Sequence, residues 1–537
     1  MQLKNLQQMP CAAFFHKNRL FWLGTALFSC YLSVVLCAIG RSSALFGRLF
    51  ASGSLGFAAE LAKLLAVALL CFAVLFGVAL LWARRQQSPL RTTPPLRKRW
   101  FFVIFAALLL LWLGFYALEY PGVCIHSDNS FQFEEYFSGH HLNWHPVVHT
   151  LLTNFLVFTI GRGSLVPYML FQMAALAAVV TYSLYWINSR VGARFRLPAS
   201  LLWFLLHPVF AYMSFTLTKD VLFSAFLLLL TIELAELCSS AKAGRLHLAL
   251  LAIAALGVLF FRNNGVFIIA LLLPCALLLA KGRSKKRLLT SVCALTLVAF
   301  FLMQGVLFRA LRVEQTPLSE AFAIPLQQFG RVVKEERPLA EDEAAYLDSI
   351  LPLEQWKTLY SPISIDPVKF AEDFYGGVIA ENPKQFARIW LGLLLHYPAD
   401  FFAATLDETQ MLWDPAAKPW MIFSYDSTDE YAFQIQHSPA PALTNAVRSG
   451  VYWMENSTVL HLFWNPAFLF MAAAIVGLAL LLRRQKERLL PLIPCFVLWL
   501  SLALTIPAGL LGRYVFSIFL CIPLFLTLLA REEKSKV

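Results

Sequence analysis

Residues 97–128 read RKRWFFVIFAALLLLWLGFYALEYPGVCIHSD. Three cations are followed by an uncharged apolar run from Trp100 to Leu118, and then by a polar loop carrying an aspartate. About 20 apolar residues span a bilayer core, and cations mark the end of a span that stays in the cytoplasm. This stretch therefore predicts a helix that enters from a basic side and delivers Asp128 to the opposite surface.

The same pattern recurs along the chain. Apolar runs near 20–40, 57–83, 100–119, 145–160, 166–188, 216–236, 247–261, 265–281, 289–308, 459–482, 489–508 and 514–530 predict an all-α polytopic membrane protein of about twelve transmembrane helices. A thirteenth piece, 198–212, is short and ends in His207-Pro208; it is read as re-entrant or interfacial, because a full crossing there would invert everything downstream. Of the 537 residues, 59% are hydrophobic and 14% charged, with a mean hydropathy of +0.65. A soluble core cannot hide that much apolar surface, so lipid must solvate part of it. The run from Leu20 lacks a small-residue cleavage site and is read as a retained first helix.

With the N-terminus inside, the dense basic clusters fall on one side. These are Arg84, Arg85, Arg91, Arg97, Lys98 and Arg99; Lys281, Arg283, Lys285, Lys286 and Arg287; Arg483, Arg484, Lys486 and Arg488; and Arg531, Lys534 and Lys536 in the tail. Both termini are then cytoplasmic, in a plasma-membrane protein. Residues 120–145 and the long polar segment 309–458 face out. That segment holds 21 Asp and Glu against 11 Lys and Arg, a net of −10, so the overall +12 is a topology signal and not a nucleic-acid footprint. The chain divides into an N-terminal hairpin with its basic loop (1–99), a membrane core (100–308), an inserted extracytoplasmic α-rich domain (309–458) and a C-terminal three-helix segment (459–537). Ala344–Leu353 and Pro383–His396 pattern as short amphipathic helices. No Cys-x-x-Cys pair occurs among the ten cysteines, which argues against a zinc ribbon or a disulfide framework.

Five polar constellations map to the outer face. Asp128 follows the third span; it suits a general base or metal ligand, or simply caps a helix from Ser130. His145 and His149, four apart beside Pro146, have metal-ligand spacing but no third ligand in register, so hydrogen bonding at the interface is the plainer account. Thr218-Lys219-Asp220 opens a span, where paired or wetted charges are needed; a cap with a snorkelling lysine is the alternative. Arg262 and Arg513 occupy short outer turns, against the inner-side bias, and suit phosphate or lipid headgroups.

Asp128…Gln132, Trp144-His145-Pro146, Thr218-Lys219-Asp220, Ile324-Pro-Leu-Gln-Gln328 and Ile365-Asp-Pro-Val-Lys369 together resemble the GT-C class of integral-membrane glycosyltransferases. They resemble more closely an uncharacterised family of bacterial polytopic proteins placed near that class. The resemblance runs from about residue 100 to the C-terminus. It implies a GT-C-like fold and sugar transfer from a polyprenyl-phosphate donor to a glycan, lipid or protein acceptor. Asp128 is then the base, Lys219, Arg262 and Arg513 hold the donor phosphate, and Asp220 and His145 position the acceptor. Asp128, Asp220 and His145 are also the candidate ligands of a divalent cation, Mg or Mn. Two features depart from the class: no Asp-x-Asp pair stands in the second outer loop, and the polar domain interrupts the bundle. A lipid-linked polysaccharide polymerase or ligase shares the outer domain and outer arginines. A transporter or flippase of lipid-linked sugars would instead need ionisable groups near mid-membrane.

Overall fold

The computed structural model describes residues 18–39, 42–51, 53–85, 97–119, 124–125, 127–191, 196–240, 244–316, 318–418, 438–505 and 512–529. Arg91, the tail cations and His126 lie outside them. The described chain is almost wholly helical, with one two-residue parallel pairing. Its helices are α1 (Arg19–Ala38), α2 (Ser42–Ala51), α3 (Gly53–Arg85), α4 (Arg99–Glu119), α5 (Ser127–Ser138), α6 (Val147–Asn154), α7 (Val166–Val191), α8 (Arg196–Leu206), α9 (Pro208–Phe215), α10 (Lys219–Ser239), α11 (Arg245–Phe261), α12 (Gly265–Leu279) and α13 (Arg283–Leu311). After the polar insert come α14 (Pro466–Leu482), α15 (Ile493–Thr505) and α16 (Phe516–Thr527).

Among the described residues, seven helices are long and apolar enough to cross a membrane, or up to nine if each of two bent pairs counts as one span. The remaining expected spans are shorter apolar helices, such as Arg245–Phe261 and Gly265–Leu279. The chain is thus a polytopic α-helical membrane protein by length and composition. Its axis is α10, whose apolar window is 89% buried, against 6% for α3 and 11% for α13 at the periphery. A helix buried all round belongs in the middle of a bundle, and one exposed all round faces lipid. Gly257 lets α11 close on α10: a Cβ there would meet the Phe226 ring at 2.2 Å.

Contacts give each helix a direction. At one end of the bundle Trp186 bonds Glu236 at 2.9 Å, His247 meets Glu233 at 2.9 Å, Lys285 meets Glu487 at 3.4 Å and Arg484 bonds Asn18 at 3.1 Å. The described members of the 281–287 and 483–488 clusters gather here, so this is the basic end. At the other end Gln172 donates to the carbonyls of Ser214 and Thr216, and Ser438 and Thr444 to that of Leu118. The insert begins and returns at this second end.

One expected span and the expected re-entrant piece, 198–212, exchange roles. The run 145–160 does not cross. It forms α6 and a π-helical turn, Phe155–Ile160, and both parts stay beside α5 and the start of α7. His149 bonds Tyr168 at 2.7 Å, and the Phe158 ring stacks on Tyr136 at 4.4 Å. So α7 starts at the insert end and runs to the basic end. The 197–215 stretch, expected as re-entrant, then returns as α8 and α9 with a 55° bend. Pro208 cannot continue the ladder. His207 fills the break, its Nδ1 accepting from Val209 N at 3.3 Å and its Nε2 bonding Phe463 O at 3.2 Å. The two exchanges cancel, so every later helix keeps its expected direction.

The insert is a helical domain with its own core. Leu326, Phe329, Leu347, Trp356, Phe386 and Leu393 meet there, and the Trp356 indole donates to Leu347 O at 3.1 Å. The Phe402 ring stacks on Phe46 of α2 at 5.4 Å, seating the insert on the N-terminal hairpin.

The positive-inside rule predicts that the basic end lies in the cytoplasm. In intact cells an impermeant maleimide should therefore label cysteines placed at 162 and 350 and miss those at 285 and 486. Protection of 162 with labelling of 350 would restore 145–160 as a crossing and overturn this path.

Candidate functional site

The two-residue pairing builds the site. Cys124 and Ile125 pair in parallel with Thr216 and Leu217, which brings the loop ahead of Asp128 alongside the strand ahead of Lys219 and Asp220. Thr218 then caps α10, its hydroxyl accepting from Asp220 N at 3.4 Å. The Arg262 turn is tight: Gly265 N donates to Arg262 O at 2.9 Å, and a Cβ on Gly265 would meet Val258 O at 1.9 Å. Only glycine fits there, so the arginine's position is set by backbone.

All six expected residues meet in one network. Lys219 Nζ donates to Asp128 Oδ2 at 2.7 Å and to His145 Nδ1 at 2.9 Å. Arg513 reaches Asp128 Oδ2 at 2.9 Å and Oδ1 at 3.4 Å, and lies 3.4 Å from Asp220 Oδ2. Arg262 Nη1 donates to Asp220 Oδ1 at 2.5 Å. Tyr514 lies between the arginines, with its ring centroid 4.7 Å from one guanidinium and 4.8 Å from the other. Side-chain exposure is graded: 0% for Asp220, 2% for Arg513 and 5% for Arg262, against 15% for Lys219 and 19% for Asp128. Among the described residues, three cations face two carboxylates, one positive charge in excess.

His145 adds none. Burial, and then the adjacent Lys219 ammonium, hold its imidazole well below the ordinary histidine range, so it is neutral. Its Nδ1 accepts from Lys219, which leaves the proton on Nε2, a buried atom with no hydrogen-bond partner among the described residues. The loop bearing His145 is held twice. Asn263 donates to the carbonyls of Asn143 and Trp144, and Asn143 and His141 exchange backbone bonds with Glu314 at the start of the insert. His149 stands apart. Its Nδ1 accepts from Gln132 at 2.9 Å and its Nε2 bonds Tyr168, so it braces α5 against α7.

The proposed ligands do not fit a divalent ion. Each carboxylate oxygen of Asp128 and Asp220 already has a cationic donor within 3.4 Å, and His145 Nδ1 holds Lys219. A metal would sit against three fixed positive charges, and no group of three or more metal-type ligands gathers among the described residues.

Sequence reading missed Glu135, two turns along α5 from Asp128. It is buried 3.4 Å from His141, and burial pushes its carboxyl up to about 7 from 4.5. A folded-state value above the unfolded one means that its stability contribution is present below about 4.5 and lost as pH rises through about 7. Glu135→Gln should therefore match wild type near pH 4.5 and melt higher at pH 8, by up to about 3 kcal/mol. Parallel melting curves at the two pH values check this; an equal shift at both would mean that the carboxyl does not titrate.

No curated protein and no solved structure matches the chain. One family model does, over residues 48–537, so the match reaches back through α3 and covers every residue of the network. The chain belongs to a family of unknown function, DUF6020.

Proposed function

We propose that the protein is a plasma-membrane glycosyltransferase that moves a sugar from a polyprenyl-phosphate donor to an extracytoplasmic glycan, lipid or protein. In this reading it has twelve crossings, a GT-C-like core and both termini in the cytoplasm. The observation that carries the proposal is the ion cluster with one cation in excess. A sugar linked through a phosphodiester brings one negative charge, and a dry, preorganised cation set is what a phosphate leaving group needs. Beside the cluster a shallow, mostly apolar cleft lies between α6, α11 and α13, lined by Pro146, Val147, Leu259, Met303 and Leu307. Its rim includes Asn263, next to Arg262, so a chain lying in it would bring its head to the cations. Ionisable groups concentrate at the bundle's two ends, which speaks against a continuous polar path for a transporter.

The arrangement suggests an exchange of partners. Without donor, Asp128 accepts from both Lys219 and Arg513. An arriving phosphate competes for those donors and uncovers the carboxylate. The acceptor hydroxyl then gives its proton to Asp128 as its oxygen bonds the anomeric carbon. The bond from that carbon to phosphate oxygen breaks, and polyprenyl phosphate leaves with the electron pair onto Lys219 and the arginines.

Asp128→Asn keeps an oxygen acceptor for Lys219 but cannot take a proton. Transfer from a polyprenyl-phosphate sugar by the purified protein should fall about 100-fold or more. Donor binding should hold or tighten, since the cluster gains net positive charge. Transfer at the wild-type rate would remove Asp128 as base. Lys219→Met should weaken donor binding by about tenfold or more, the scale of a hydrogen bond to a charged group, with folding kept. Either arginine is a poorer probe, because its loss removes one of the two guanidiniums that offset the buried charge of Asp220 and so costs folding stability as well as binding.

Since the cluster's own cations fill the ligand atoms, EDTA should leave the transfer rate unchanged. Loss of activity on chelation, with recovery on adding Mg or Mn, would show that the cations give way to a metal.

A further inference from the structure

Three aromatic rings line the approach to the ion cluster and belong to none of its hydrogen bonds. Phe131 is three residues after Asp128 on α5, so the two share a helix face. Its ring lies 5.2 Å from that of Trp144, tilted by 39°. Trp144 stacks on His145, at 5.7 Å and 4°, and on Phe370 of the insert, at 6.0 Å and 23°. Phe370 is 58% exposed and Phe131 41% exposed, while Trp144 is half-buried. Each ring is held from below by a different part of the chain. The Trp144 carbonyl accepts from Asn263, Phe131 rides on the helix of Asp128, and Phe370 follows Lys369, whose buried ammonium pairs with Glu320 at 2.5 Å.

Leaving a large ring in water forgoes about 1.5–3 kcal/mol of burial. Here two such rings flank a fixed indole one residue from a site histidine. Aromatic faces carry partial negative charge. The C–H face of a pyranose is weakly positive, so a sugar ring packs on an aromatic face while its hydroxyls stay free at the rim. Polar groups stand near these rings: Asp128 on the helix of Phe131, and the Asn263 side-chain amide, which donates to the carbonyls of Asn143 and Trp144. A peptide or lipid acceptor would leave the combination of exposed ring faces and neighbouring hydrogen-bonding groups without a use.

We propose that the exposed rings of Phe131 and Phe370, braced by Trp144 between them, form a stacking platform for a pyranose of the acceptor, and that the acceptor is therefore a carbohydrate chain. This rests on the glycosyltransferase reading and narrows it. Phe370 comes from the insert, so the insert takes part in choosing the acceptor.

The test uses the full chain in phosphatidylcholine nanodiscs and saturation-transfer NMR. The probes are methyl hexopyranosides and their trisaccharides in the gluco, galacto, manno and N-acetylglucosamine series, at about 10 mM, where weak sites fill. At least one trisaccharide should receive saturation on the C–H protons of one ring face. Phe370→Ala and Phe131→Ala should each weaken its binding by about threefold to tenfold, the worth of one aromatic contact. Phe370→Trp should restore it. The platform is overturned if no probe binds wild type, or if both alanine variants bind as wild type does. It is equally overturned if the variants only loosen the protein's hold on the bilayer, as membrane-anchoring aromatics would. Sugar transfer from a polyprenyl-phosphate donor, measured alongside, separates the two readings. Transfer that is insensitive to both variants sinks the platform alone. Platform-dependent sugar binding with no transfer from any such donor sinks the enzymatic reading and leaves a carbohydrate-binding surface.

Discussion

The structure turns on one buried carboxylate. Asp220 is 0% exposed at the head of the most buried helix, where an unpaired charge would cost several kcal/mol. It is tolerable only because Arg262 and Arg513 reach it from two other helix ends and Thr218 bonds it from its own. That need fixes where three remote segments meet. α11 must end beside the start of α10, and the turn before α16 must arrive at the same place. Gly265, which alone fits the turn after Arg262, and the short pairing of 124–125 with 216–217 serve the same convergence.

Stability does not explain the network. A buried ion cluster is seldom better than well-packed apolar residues of the same volume. What the charges add is a field that needs no reorganisation when another charge arrives. The gradient of exposure divides the work. Asp220, Arg262 and Arg513 form a dry base that holds its shape, and Asp128 and Lys219, at 19% and 15% exposure, form the edge open to a ligand. Arg513 touches both carboxylates and so couples the two halves.

The class of fold and the residues that meet in the ion cluster were legible in the chain, because both are written in local signals. Apolar runs of membrane length and cations on alternate loops need no tertiary information. Asp128, Lys219, Asp220, Arg262 and Arg513 stood out because each is costly where it lies. Depth was not legible. Runs 145–160 and 197–215 have similar length and apolarity, and hydropathy cannot tell a helix that crosses from one that turns back. His149 with Tyr168, and Phe158 with Tyr136, decide it, and those contacts are invisible to a sliding window. Partners were not legible either. Arg513 was read as a cation for phosphate or lipid headgroups, and its ion pair with Asp128, 385 residues away in the chain, gave no local sign. Nor could periodicity mark Glu135, a carboxyl on a polar-looking helix that tertiary packing buries.

That pairing of Arg513 bears on the chemistry. A base exposed to water beside a bound glycosyl phosphate would hydrolyse it as readily as transfer it. In the proposed reaction Asp128 is engaged by two cations until phosphate draws them off, so the base and the leaving-group clamp are uncovered and assembled by the same event. His145 belongs to that event. It is neutral and accepts from Lys219, so it offers the ammonium an alternative partner to Asp128 without adding charge. The loop that carries it is fastened to Glu314 at the root of the insert, and its Trp144 packs against Phe370 within the insert. A movement of the insert on engaging an acceptor would therefore reach Lys219 through a single loop. Acceptor and donor would act on the same ion pair from opposite sides, which is the coupling a transferase needs if water is not to take the sugar.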